Sequence, residues 1–217
     1  MPAGPGPVLR QLPNILTVLR LVLAAVFVWL MSYEGIVTSY LALATFGAAS
    51  LTDLFDGILA RRWKVTSRFG IFMDPLADKV LVLSALLVFV WQNLVPVWLV
   101  LIIWAREISV QSLRGLAEAR GTSLPATTLG KQKMISQIVA ILGTLAVLCA
   151  EYTITRATGY PWDTWLVRSG PRGAFVASAL GVLPSLLLGV AALFSLYSGA
   201  RFVADNRGLF TRGPGRR

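Results

Sequence analysis

The sequence predicts an all-α integral membrane fold of six transmembrane helices with cytoplasmic N- and C-termini, and three observations carry that expectation. Only 14% of the 217 residues are charged while 56% are hydrophobic, against about 25% charged in ordinary soluble domains. The chain is long enough for roughly six crossings of about 20 residues each with short loops, and too short to add a soluble domain. The 20 basic residues are placed asymmetrically. All but Arg156, Arg168 and Arg172 fall on one side, which the positive-inside tendency makes cytoplasmic. Trp29, Trp91, Trp98, Trp162 and Trp165 fall near the opposite ends, as an aromatic belt would.

The net charge of +10 thus has its explanation in membrane topology, and no nucleic-acid partner is expected. A lone Cys149 excludes an intrachain disulfide, and the absence of histidine excludes a histidine base or metal ligand. Acid–base chemistry falls to carboxylates, and hard oxygen ligands favour Mg²⁺ or Mn²⁺ over zinc.

In chain order, 1–13 is Pro/Gly-rich and expected to be loose or interfacial. The run 15–31 is too long for a signal-peptide core and is read as a retained first helix. At its start Asn14, Thr17 and Arg20 recur every three residues, a polar stripe entering the bilayer on one side, for which capping and a snorkelling arginine are the plainer reading. Helix two is expected over 36–61, with small residues that suit close packing in lipid. A basic loop, RRWKVTSR, leads to helix three at 69–91, where Pro75 must fall in the first turn or kink the helix. Helix four is expected at 95–119 and is apolar only in its first half. Helix five is expected at 134–150, followed by a long connection over 151–172. Helix six is expected at 173–203 with Pro184 inside it. A six-helix domain therefore spans 14–203, and 204–217 reads as a basic tail.

The stretch from Asp53 to Asp78 concentrates the chemistry. Asp53 and Asp56 are three apart, Asp74 and Asp78 four apart, and helical residues at those spacings share a face. Each ionised aspartate near hydrocarbon costs at least ~2.5 kcal/mol on insertion scales, and four would repel one another. A pair of divalent cations between them resolves both problems. Pairing with Arg61, Arg62, Lys64, Arg68 and Lys79 as a solvated cluster is the plainer alternative. Four acids on both arms of one hairpin weigh against it.

The full pattern is D-x2-D-G-x2-A-R-x8-G-x3-D-x3-D, from Asp53, Asp56, Gly57, Ala60, Arg61 and Gly70 to Asp74 and Asp78. It resembles the signature of the CDP-alcohol phosphatidyltransferase family at all eight positions, and the resemblance covers roughly residues 13–145. It implies six transmembrane helices, a polar metal-containing cavity open to the cytoplasm, and usually a homodimer. It further implies that Asp53, Asp56, Asp74 and Asp78 hold Mg²⁺ or Mn²⁺, two ions in all, with Asp78 also the general base. Gly57, Ala60, Arg61, Thr66 and Gly70, with Asp53, would meet CDP-diacylglycerol. Helix packing is the alternative for the small residues, and interfacial anchoring for Arg61.

PNILTVLR (13–20), DPLADK (74–79), ARE (105–107), SLRGLAEARG (112–121) and LGKQK (129–133) look like the bacterial members that transfer phosphatidyl to sn-glycerol 3-phosphate and release CMP. Such an acceptor implies a second cationic site, which Arg106, Arg114, Lys131 and Lys133 supply. For Arg106 a pair with Glu107 is the alternative. Inositol phosphate, or phosphatidylglycerol in cardiolipin synthesis, would use the same aspartates. The expected setting is the inner membrane of a bacterium, with membrane lipid around the chain. A membrane cation carrier is the competing class, but no acid lies at a midplane position where an alternating-access site would want one.

Overall fold

The computed structural model describes residues 7–63, 68–119 and 128–211, with side chains described for 15–52, 76–77, 79–119 and 128–207. Every element among the described residues is helical: α1 (Pro7–Met31), α2 (Ile36–Trp63), α3 (Arg68–Trp91), α4 (Val97–Ala119), α5 (Thr128–Thr158), α6 (Trp162–Arg168) and α7 (Pro171–Thr211).

Two helices, α5 and the Pro171–Arg207 part of α7, are long and apolar enough to cross a membrane, and Ile15–Met31, Ile36–Thr52 and Lys79–Trp91 are shorter apolar helices. The exterior is apolar: Leu193 is 69% exposed and Val190 66%, a surface suited to lipid rather than water. Inside, Phe27, Phe46, Phe89, Ile141, Leu145 and Leu188 form the centre of one core. Alanines fill much of the rest, with Ala42, Ala49, Ala85, Ala140 and Ala191 buried. Small residues bring helix backbones close where apolar burial alone gives little drive to associate.

Helix α1 packs across both α2 and α3, α5 packs on α2 and α7, and α4 packs on α7. Helices α4 and α5 do not pack on each other among the described residues, so α7 is the wall that joins them. The α3–α4 turn is tightly specified. Asn93 takes φ 59°, and Asn93 N donates to Val90 O at 3.0 Å while Leu94 N donates to Phe89 O at 2.9 Å. This is the paired-bond ending that a left-handed residue gives a helix. Gln92 Nε2 then donates to Met31 O at 2.8 Å, tying the ends of α3 and α1 together.

Four boundaries differ from expectation, one being the start of α5 at Thr128 rather than 134. Helix α1 begins at Pro7, and proline suits a first helical position because its missing N–H would bond nothing there. Helix α7 continues to Thr211, past the expected start of a loose tail. The largest correction is 151–172, expected as a connection. Helix α5 runs on to Thr158, where Gly159 (φ 73°) ends it, and α6 occupies Trp162–Arg168. The Thr153 and Thr158 hydroxyls donate back to Cys149 O and Ile154 O, both at 2.7 Å, inside the helix. Arg20, expected to snorkel, is 1% exposed and so belongs to the interior.

Candidate active site

Counting from the α2–α3 connection, Asp56 lies seven residues back along α2 and Asp74 six residues into α3. Asp53 and Asp78 each lie ten residues from it. At about 1.5 Å per residue the two arms therefore carry their acids at matching distances from one hairpin. The side chains of Asp53, Asp56, Gly57, Ala60, Arg61, Gly70, Asp74 and Asp78, and Thr66 altogether, lie outside the described residues. What fits a divalent cation is the donor chemistry: four carboxylates on adjoining helices in a chain without histidine.

The expected second cationic site has a described geometry. Arg106, Arg114, Lys131 and Lys133 all line one cavity of about 660 Å³, together with Lys79, Glu107, Glu118 and Phe202. On α4, Arg106, Val110 and Arg114 recur at four-residue spacing and so share a face. Opposite them, the first turns of α5 supply Gly130, Lys131, Lys133 and Met134, and α3 supplies Lys79. Five cations against two carboxylates make the cavity attractive to an anion. Lys79 follows Asp78 in the chain, so the cavity reaches the helix that carries the last aspartate.

Glu107 organises the cations. Its Oε2 accepts from Arg106 Nη1 at 3.1 Å and from Lys133 Nζ across the gap between α4 and α5. Lys133 is 7% exposed, a burial that lysine tolerates only when paired. Arg106 reaches the other way as well, Nη2 donating to Ser198 Oγ on α7 at 3.0 Å. The pairing of Arg106 with Glu107 therefore exists, and it leaves the guanidinium lining the cavity. The guanidinium of Arg114 lies over the Phe202 ring, its central carbon 5.2 Å from the centroid.

A smaller cavity of about 220 Å³ adjoins the first and shares Lys79, Glu107, Gly130, Lys133 and Met134 with it. Val82, Ile103, Trp104 and Gln137 complete its lining. Gln137 is buried, and its Nε2 has no partner among the described residues. An unmet buried donor costs about 1–3 kcal/mol, which a ligand in that space would recover.

Sequence reasoning missed Lys79, Glu107 and Gln137 as site residues, although each had a signal. Lys79 follows the last aspartate, Glu107 adjoins Arg106, and Gln137 stands one turn after Lys133 on the same face. Ser198 and Phe202 had none, because α7 carries no charge between Gly173 and Ala200.

The CDP-alcohol phosphatidyltransferase family model matches residues 10–168. The chain belongs to that family. The match takes in α1 to α6 and stops short of α7. Among similar members is the CDP-diacylglycerol–glycerol-3-phosphate 3-phosphatidyltransferase of Cereibacter sphaeroides, 42% identical over 135 residues, covering 60% of this chain and 61% of that protein. A probable phosphatidylglycerophosphate synthase of Mycobacterium tuberculosis is 42% identical over 136 residues, covering 61% of this chain and 65% of that protein. A Bacillus subtilis protein named like the first is 38% identical over 143 residues, covering 60% and 74%. The matched stretch thus spans less than two thirds of the first two relatives' lengths.

Proposed function

We propose that this family member transfers phosphatidyl from CDP-diacylglycerol to sn-glycerol 3-phosphate, giving phosphatidylglycerophosphate and CMP. The observation that carries the reading is the cavity that collects Arg106, Arg114, Lys131 and Lys133 beside Lys79, the neighbour of Asp78. A family member with an uncharged alcohol acceptor has no use for so many cations there. The names of the relatives support the same acceptor.

In the reaction, the acceptor hydroxyl forms a new bond to the phosphorus that carries diacylglycerol, and the bond from that phosphorus to the CMP oxygen breaks. CMP leaves with the electron pair, and the hydroxyl proton passes to the Asp78 carboxylate. Arg106 and Arg114 hold the acceptor's phosphate, so that its free hydroxyl is delivered in one orientation. Lys133 and Lys131 add charge from the α5 side. Gly57, Ala60 and Gly70 leave room for the cytidine end of the donor, with Asp53, Arg61 and Thr66 its polar contacts. Mg²⁺ or Mn²⁺ on Asp53, Asp56, Asp74 and Asp78, two ions in all, would neutralise the diphosphate and the departing phosphate.

The setting belongs to the same reading. Helices α1 to α5 and α7 make six crossings, and α6, at seven residues, is far too short to span about 30 Å of hydrocarbon. The basic hairpin end faces the cytoplasm of a bacterial inner membrane, and the chain works as a homodimer. A cysteine placed at Asp163 should react with an impermeant label added outside intact cells, and no reaction would reverse the orientation.

Purified protein supplied with CDP-diacylglycerol, sn-glycerol 3-phosphate and Mg²⁺ or Mn²⁺ should release CMP, and EDTA should stop it. Asp78→Asn should lower turnover by a factor of at least ~10² while the protein keeps its melting point in detergent. Near-normal turnover in that variant removes Asp78 from the base role. Turnover that survives EDTA removes the metal.

A further inference from the structure

Three residues of α7 stand against the two arginines of the cavity. Ser198, Gly199 and Phe202 fall within one turn and a half of each other, and all three are buried. Ser198 Oγ accepts from Arg106 Nη2 at 3.0 Å. Gly199 lies under the stem of the same arginine: a Cβ added there would come within 2.9 Å of Arg106 Cγ and 3.0 Å of Nε. A Cβ at the first distance would push the Arg106 stem away, so a glycine is what lets Arg106 lie flat on α7. Phe202, one turn on from Ser198, presents its ring to Arg114. Arg106 Nε and Arg114 Nε are both buried with no hydrogen-bond partner among the described residues. Each guanidinium is therefore oriented in part by one face of α7, Arg106 by Glu107 as well, while both side chains line the cavity.

We propose that Ser198, Gly199 and Phe202 are positioning residues for the acceptor, fixing Arg106 and Arg114 in the cavity from a helix outside the stretch matched by the family model. The proposal rests on the reading of these arginines as the acceptor-phosphate site. It makes α7 a specificity element. A preset pair of guanidinium groups binds a phosphate without first losing side-chain freedom, so disturbing the arm should weaken acceptor binding and leave the donor untouched.

The test is steady-state kinetics of the full chain in detergent, varying sn-glycerol 3-phosphate and CDP-diacylglycerol separately, with melting points taken alongside. Ser198→Ala and Gly199→Ala should each raise the acceptor KM by about tenfold, the scale of one charge-assisted hydrogen bond, with the donor KM unchanged even where the melting point falls. Phe202→Leu should raise the acceptor KM by about threefold and Phe202→Tyr should restore it, since a ring face survives. Gly189→Ala, on the same helix with open space around its Cβ, should behave as wild type. An unchanged acceptor KM in the Ser198 and Gly199 variants overturns the proposal. So does a rise in both KM values together with a fall in melting point, which would mark a purely structural role. A wild-type protein that releases CMP with other acceptors but not with sn-glycerol 3-phosphate rejects the functional reading itself, and the arm with it.

Discussion

Glu107 shows how much one side chain is asked to do. Its carboxylate faces two cations from different helices, Arg106 on its own and Lys133 on α5, and it is the only described link of that kind across the α4–α5 gap. Removing its charge leaves a buried ammonium without a counter-ion, which is worse than removing both partners together. Glu107→Gln should therefore lower stability by about 1–3 kcal/mol, read as a drop in melting point in detergent. Adding Lys133→Met should recover most of that loss, and a double variant no better than the single one would show that the two groups are not coupled. The grouping of Arg106, Arg114, Lys131 and Lys133 and the Arg106–Glu107 pair were legible at this scale, because charged residues in an apolar chain stand out against their surroundings. Gln137 was not, since a single amide in a helix is an ordinary surface residue until burial is known.

At the scale of elements, apolar runs placed α2, α3 and α4 to within a few residues, because alternation between hydrocarbon and water leaves a sharp composition edge. The α5–α6–α7 corner was illegible for the opposite reason. Its residues are mixed in polarity, and threonine hydroxyls bonded back into the helix look like loop chemistry in a bare sequence. The corner relies on close backbone approach. A Cβ on Gly173 would lie 1.9 Å from Leu166 O, and one on Gly143 would lie 2.8 Å from Leu187 Cδ1, where α5 meets α7. The second neighbour is a side-chain tip and can be trimmed. Gly143→Ala should cost about 1–2 kcal/mol by overpacking, and Gly143→Ala with Leu187→Ala should be less damaged than the two single losses added together. Strict additivity in melting experiments would mean that α5 and α7 do not depend on that contact. Since α7 packs on both α4 and α5, loosening it should also widen the cavity.

The whole molecule divides its charge by position. One end of the helix bundle carries the aspartate hairpin, the arginine and lysine cavity, and the ends of α4 and α7; the other carries exposed tryptophans, Trp29, Trp91 and Trp98. Between them the exterior of the described residues is apolar, and on the proposed reading a water-soluble acceptor and a lipid donor meet at the cavity end. That the described residues form apolar helices suited to a membrane could be read from composition alone. The shape of the cavity could not, because it forms where the α4 and α5 backbones stay apart and, among the described residues, only the Glu107–Lys133 ion pair bridges them, and absence of packing leaves no trace in a sequence. The central claim is that this cavity recognises the acceptor by its phosphate. The most direct measurement is kcat/KM for CMP release with sn-glycerol 3-phosphate against glycerol, which offers the same hydroxyl without the anion. A preference of at least ~10² for the phosphorylated acceptor is expected from two charge-assisted contacts; equal rates, or faster release with glycerol, would contradict the account.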